Sequence, residues 1–236
     1  HLAQGNNERP VTRLAVLPVA AKASVEQGLE AALESALAHW LYHDEIWLRG
    51  NAKAKAEILL AIARVRHALV LFGGIVPRKA TTHLRALLND ADAVLLAADT
   101  ADEALFRTEV VGAKLALTEW LVQRGWRPFL NEAGEKKIAG SFKRFADIHL
   151  SRVAAELRSA VQHLAVEDAA DQLPKLSRDI DSVQLLAGAY GDAVAPWLEN
   201  WQELQRAIEH DDRSVFEYFR RQALAAEPFW LHSGKR

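Results

Sequence analysis

Between Ile58 and Asn89 the chain carries Arg64, Arg66, Arg78, Lys79 and Arg85 together with His67 and His83, and no Asp or Glu. The next stretch, Asp90 to Glu109, inverts the balance, setting Asp90, Asp92, Asp99, Asp102, Glu103 and Glu109 against Arg107 alone. A second basic cluster, Lys136, Lys137, Lys143, Arg144 and Arg152 with His149, meets only Asp147 before Ala155. At about 3.6 residues per turn, Arg64 and His67 share a helix face, as do His149 and Arg152, and Lys175 and Arg178. Donors presented without acceptors suit a phosphate-rich ligand, whose oxygens take charge-assisted hydrogen bonds from guanidinium and ammonium groups. A charge run is ordinarily a solvated helix face. Such a face normally mixes both signs to gain weak i,i+4 pairs, which an acid-free stretch forgoes. The expected anion-binding set is Arg64, Arg66, His67, Arg78, Lys79, His83, Lys143, Arg144, His149, Arg152, Lys175 and Arg178.

Other chemistries are less well served. His39 and His43 have the i,i+4 spacing of a helical metal pair, with Asp44 beside them, but the sequence identifies no third ligand, so no metal site is expected. Asp179 and Asp181 point in different directions on a helix and read as solvated or salt-bridging groups rather than an acid/base pair. Trp40, Trp47, Trp120, Trp197 and Trp201 fall on apolar stripes, where core packing accounts for them. Gly73-Gly74 closes a helix instead of following a strand, so it is no phosphate loop. With no cysteine, thiol nucleophiles, thiolate metal sites and disulfides are excluded. No catalytic residue and no cofactor is expected.

The elements that must position these residues read as helices throughout. Half of the 236 residues are hydrophobic and a quarter charged, the profile of a folded globular chain. Lys+Arg 29 against Asp+Glu 31 leaves a net charge of −2, so any polyanion site has to arise from local segregation. Helical periodicity marks a first helix through Val25, Leu29, Leu33, Leu37 and Trp40, opened by a Ser24/Gln27 capping box and stopped at Gly50-Asn51. A second runs through Ile58, Ile62, Val65 and Leu69; a third spans about Lys79 to Ala98; a fourth opens with Thr100/Glu103 and continues through Phe106, Val110, Leu117 and Leu121. Gly125 to Gly140 is rich in Gly, Pro, Asn and charge and forms the internal boundary. Four more helices follow: one capped by Ser141, one with Pro174 in its first turns, one with Pro196 near its start, and one opened by Ser214/Glu217.

The expectation is an all-α protein of two four-helix bundles with a pseudo-twofold internal repeat: residues 1–20 a linker from a preceding domain, 21–128 the first bundle, 129–140 a connector, and 141–236 the second bundle. A faint echo between Arg64–Pro77 and Arg178–Gly191 supports the repeat. No apolar run approaches the roughly 18 residues of a membrane helix, and no signal peptide is visible, so a cytoplasmic location is expected. Met is absent even at position 1, which suggests a fragment, a processed chain or a redesigned sequence, read here as the C-terminal part of something longer.

Val65–Arg78 (VRHALVLFGGIVPR), Thr82–Leu88 (THLRALL), Ser141–Arg152 (SFKRFADIHLSR) and Glu227–Arg236 (EPFWLHSGKR) resemble the CHAD family, the conserved histidine α-helical domain. More narrowly, the chain resembles the C-terminal half of bacterial inorganic triphosphatases that join an N-terminal CYTH domain to a CHAD domain, with His1–Gly5 at the junction. The resemblance implies two four-helix bundles whose basic helices bind inorganic polyphosphate. It also implies a non-catalytic chain, since triphosphatase catalysis belongs to the CYTH partner, and an alternative role as an accessory or stabilising domain of such an enzyme. Of the family's arginine run, Arg64 and Arg66 are present here and the leading histidine is not. Single-stranded RNA is the third ligand class, ranked last because the aromatic residues lie on apolar stripes instead of forming stacking platforms.

Overall fold

A computed structural model of the chain describes residues 9–231. The calls at His1–Gly5 and at the tail from His232 onward lie outside the described residues. Among the described residues the protein is all-α, with no strand and a single isolated bridge between Ser24 and Ser141. In chain order the helices are α1 (Val25–Leu48), α2 (Ala54–Leu71), α3 (Arg78–Ala97), α4 (Ala101–Ala104), α5 (Thr108–Val122), α6 (Glu132–Ile138), α7 (Phe142–Val161), α8 (Ala169–Leu186), α9 (Val194–Glu209) and α10 (Arg213–Ala225). None is long and apolar enough to cross a membrane.

The chain forms two compact units, residues 9–15 with 29–136 and residues 16–28 with 137–231. The first is built on α1, α2, α3 and α5, with Leu33, Trp40, Ile58, Ile62, Leu88, Leu117 and Trp126 buried between them. The second is built on α7 to α10, with Phe142, Leu150, Leu157, Leu176, Val183, Trp201 and Leu204 inside. These stripes recur every three or four residues, the spacing that turns one helix face to a core.

Local sequence sets several helix starts. At α1 the Ser24 amide donates to Gln27 Oε1 at 2.9 Å, and the Gln27 amide returns the bond to Ser24 Oγ at 3.2 Å. Thr100 and Glu103 form the same box, and Ser141 Oγ accepts from the Arg144 amide at the head of α7.

Four expectations are corrected. The helix opened by Thr100 lasts one turn, because Arg107 is extended (φ −66°, ψ 143°) and α5 starts afresh at Thr108. The start of α10 is capped by Asp212, whose carboxylate accepts from the Ser214 amide, so Ser214 lies inside the helix and not at its cap. The connector at 129–140 contains α6. The described part of the 1–20 linker is docked: Leu17 is 3% exposed and its amide donates to the Gln184 carbonyl at 2.9 Å, while Pro10 and Ala15 carbonyls accept from Tyr42 and Arg64. The two compact units divide between residues 15 and 16, within α1 between 28 and 29, and between 136 and 137.

The Leu17 contact explains a glycine. A Cβ on Gly188 would stand 1.8 Å from the Leu17 carbonyl oxygen, so only the absence of a side chain lets the two backbones meet.

Candidate functional site

The head of α3 concentrates positive charge without compensation. Pro77 holds the N-cap position with extended backbone (φ −61°, ψ 143°) and supplies no side-chain cap, and the first turn contains Arg78 and Lys79 but no acid. Arg78, Lys79 and His83 are exposed. The Thr81 and Thr82 hydroxyls each donate to the Arg78 carbonyl at 3.0 Å, and Arg85 Nε donates to Thr81 Oγ1 at 2.9 Å, which ties the half-buried Arg85 behind the first turn. Lys79 Nζ lies 5.8 Å from the Phe129 ring centre. Among the described residues no carboxylate lies within salt-bridge distance of Arg78, Lys79, His83 or Arg85. Burial first, and the neighbouring Arg78 charge second, pull the Arg85 guanidinium below its ordinary pKa. Cations at a helix N-terminus oppose the helix dipole, whereas an anion there gains from the dipole and from backbone N–H groups. The chemistry this arrangement can perform is anion capture.

The remaining sequence-proposed residues lie on α2, α7 and α8, and most are engaged within the protein. Arg64 is 1% exposed and Nη1 donates to the Ala15 carbonyl at 2.9 Å, so it is a core residue and not a ligand-facing one. Arg66 Nη2 reaches the Leu88 carbonyl at 3.1 Å and Asp92 Oδ2 at 3.3 Å; His67 is half-buried on the same helix. Asp92, in the acidic stretch, thus neutralises a cation of the acid-free one.

In the second unit, Lys143 lies 3.4 Å from Asp147 and 4.8 Å from the Tyr190 ring centre. The Tyr190 hydroxyl donates to the same carboxylate, and burial followed by that hydrogen bond raises the phenol's pKa well above its ordinary value. Arg144 is exposed at the start of α7. His149 stacks on Phe145 with ring centres 4.1 Å apart; burial first and Arg152 second lower its pKa, and its buried Nδ1 has no hydrogen-bond partner. Arg152 faces Glu156 at 3.9 Å, and Arg178 faces Asp179 at 3.2 Å. Asp179 is 3% exposed and its carboxyl is pushed up by burial against the opposing pull of Arg178. Lys175 is half-buried on α8.

A family model described as the CHAD domain matches residues 31–221. The chain belongs to the CHAD family. A crystal structure of the CHAD domain from the plant Ricinus communis is similar in fold, with a TM-score of 0.57 and 17% identity, covering 91% of this chain and 90% of that one. Of the four blocks that carried the resemblance, three lie inside the match and Glu227–Arg236 lies beyond it.

This CHAD domain also holds a polar cluster whose third member sequence spacing could not supply. His39 Nε2 is 2.9 Å from Glu57 Oε2, joining α1 to the first turn of α2. His43 Nδ1 contacts the His39 carbonyl at 2.8 Å, and its Nε2 accepts from the Thr12 amide at 3.2 Å. Burial lowers the His39 pKa despite the Glu57 hydrogen bond, which opposes it. Asp44, the neighbour first grouped with these histidines, is instead paired with Lys114 Nζ at 2.6 Å. Glu57 is 18 residues from His39, beyond the reach of any spacing rule.

Proposed function

We propose that this CHAD domain is a non-catalytic, cytoplasmic module that binds inorganic polyphosphate, or a similar linear polyanion, at the head of α3. The observation that supports it is the grouping of Arg78, Lys79, His83 and Arg85 with no carboxylate among them at an uncapped helix start. The exposed guanidinium and ammonium take phosphate oxygens, and Arg85 adds charge from behind. Each phosphate neutralised releases a condensed counterion, so affinity falls as salt rises. Family membership supplies polyphosphate as the ligand to test first.

The test is a titration with long-chain polyphosphate, triphosphate and single-stranded RNA at about 0.15 M salt and above it. Arg78→Glu combined with Lys79→Glu is expected to weaken polyphosphate binding by about tenfold or more and to reduce the salt slope by about two. Unchanged affinity overturns the α3 site. RNA binding as tight as polyphosphate binding would overturn the ligand assignment.

A second reading has its own support. Arg66 ties α2 to Asp92 of α3, and Lys143, Arg152 and Arg178 each face a carboxylate of their own helix, so these cations are already partly neutralised within the protein. On that reading the domain stabilises a catalytic partner, a CYTH triphosphatase domain in a longer chain. Joining the two then changes turnover or melting temperature while polyphosphate binding by this chain stays negligible.

A further inference from the structure

We propose that His39, His43 and Glu57 form a binding site for a divalent transition-metal ion, with Zn²⁺ the best match to the donors. One donor atom from each residue lies within 4.8 Å of the other two. The two imidazoles project from one face of α1 with ring centres 4.1 Å apart, and the carboxylate comes from the first turn of α2. Two histidines at i,i+4 with a Glu from a second helix form a three-ligand zinc set that leaves a fourth position for water. Mixed nitrogen and oxygen donors favour zinc over magnesium or calcium, which take oxygen alone.

The outer contacts fit as well. The His39 carbonyl accepts the Nδ1 proton of His43 and so fixes the tautomer whose Nε2 lone pair faces away from its own helix, the arrangement that orients metal-bound imidazoles. His39 coordinates through Nε2 once its proton sits on Nδ1. That exchange leaves both the imidazole neutral and Glu57 ionised, with no net proton released. The His39 and Glu57 side chains are each 10% exposed and His43 is fully buried, so helix packing holds the donors in place.

The structure also assigns a consequence to binding. His43 Nε2 has one lone pair, and it accepts from the Thr12 amide at 3.2 Å. A metal ion on Nε2 displaces that bond. The stretch from Arg9 to Thr12, held otherwise by Tyr42 on the Pro10 carbonyl and by Arg9 on Glu45, is then anchored less firmly. Metal loading and docking of this segment therefore oppose each other.

The experiment is equilibrium dialysis of chelator-treated protein against Zn²⁺, with Co²⁺ as a spectroscopic probe. One ion per chain and the visible absorption of four-coordinate cobalt are expected, with affinity weakened about tenfold or more in His43→Gln and in Glu57→Gln. His210→Gln, at an exposed histidine outside the cluster, is expected to bind as the parent does. In the parent protein, which needs no altered residue, Zn²⁺ is expected to speed proteolytic cleavage after Arg9 or Arg13. Failure to bind one equivalent, or binding lost equally in His210→Gln, overturns the proposal, as does zinc binding that leaves cleavage at Arg9 and Arg13 unchanged.

Discussion

Arg64 Nη1 donates to the Ala15 carbonyl at 2.9 Å from a side chain that is 1% exposed, so an arginine of α2 clamps the segment that precedes α1. Removing it leaves a cavity where the buried stem packed and takes the guanidinium donor from the carbonyl of the exposed Ala15. Arg64→Ala is expected to destabilise the protein by about 2–4 kcal/mol in urea denaturation. Arg78→Glu, at an exposed position, is expected to change stability by no more than about 0.5 kcal/mol. Loss of polyphosphate binding in the first variant therefore tracks unfolding, whereas loss in the second reports the site.

Asp44 and Lys114 form a second long-range tie, from α1 to α5, at 2.6 Å with side-chain exposures of 10% and 18%. Burial raises the Asp44 carboxyl's pKa although Lys114 pulls the other way, so its desolvation is only partly offset by the partner. Lys114→Met strands a buried carboxylate and is expected to lose about 3–5 kcal/mol. Replacing both residues, as Lys114→Met with Asp44→Leu, removes the stranded charge and is expected to recover most of that loss. Urea curves for the single and double variants measure the coupling directly.

These two pairs show where sequence reading ends. Helix starts are legible at Ser24, Thr100 and Ser141 because each cap hydroxyl accepts from the amide three residues on, and helical stripes from Leu33 to Leu204 reveal the all-α class. The break before Thr108 was not legible, since the Ala104–Arg107 stretch keeps helical spacing while Arg107 turns extended. Charge segregation along the chain misled more seriously. Arg66 meets Asp92 and Arg64 meets a carbonyl 49 residues away, so an acid-free stretch in sequence is not acid-free or solvent-facing in space. Arg78 and Lys79, by contrast, head α3 and are exposed. The His39–His43 pair was visible by spacing; Glu57 was not, because helix packing alone brings it there.

Packing at the start of α1 gives a third prediction. A Cβ on Gly28 would lie 2.2 Å from Cδ2 of the buried Phe142 ring, so Gly28→Ala must displace the ring. A loss of about 1–3 kcal/mol is expected. At Gly112, inside α5, a Cβ meets nothing within 4 Å, and Gly112→Ala is expected to stabilise by about 0.5–1 kcal/mol through helix propensity. Opposite signs for the same substitution in two helices, read by thermal or urea unfolding, separate steric contact from propensity.

His149 sets a pH dependence whose sign can be worked out. Burial and the nearby Arg152 lower its pKa in the folded protein below the ordinary 6.5, so at acidic pH the unfolded chain binds a proton more readily than the folded one. Its contribution to stability is full above pH 6.5, declines as pH falls through 6.5, and levels off below the lowered folded value. The imidazole's buried Nδ1 has no acceptor or donor in compensation, and its ring already stacks on Phe145 at 4.1 Å. His149→Phe keeps the stacking and removes the titration. The stability difference between His149→Phe and the parent, measured by urea denaturation at pH 7.5 and 5.5, is therefore expected to move in favour of the variant at the lower pH. A constant difference would mean that the ring binds its proton equally well in the folded and unfolded chain, and would overturn the lowered pKa.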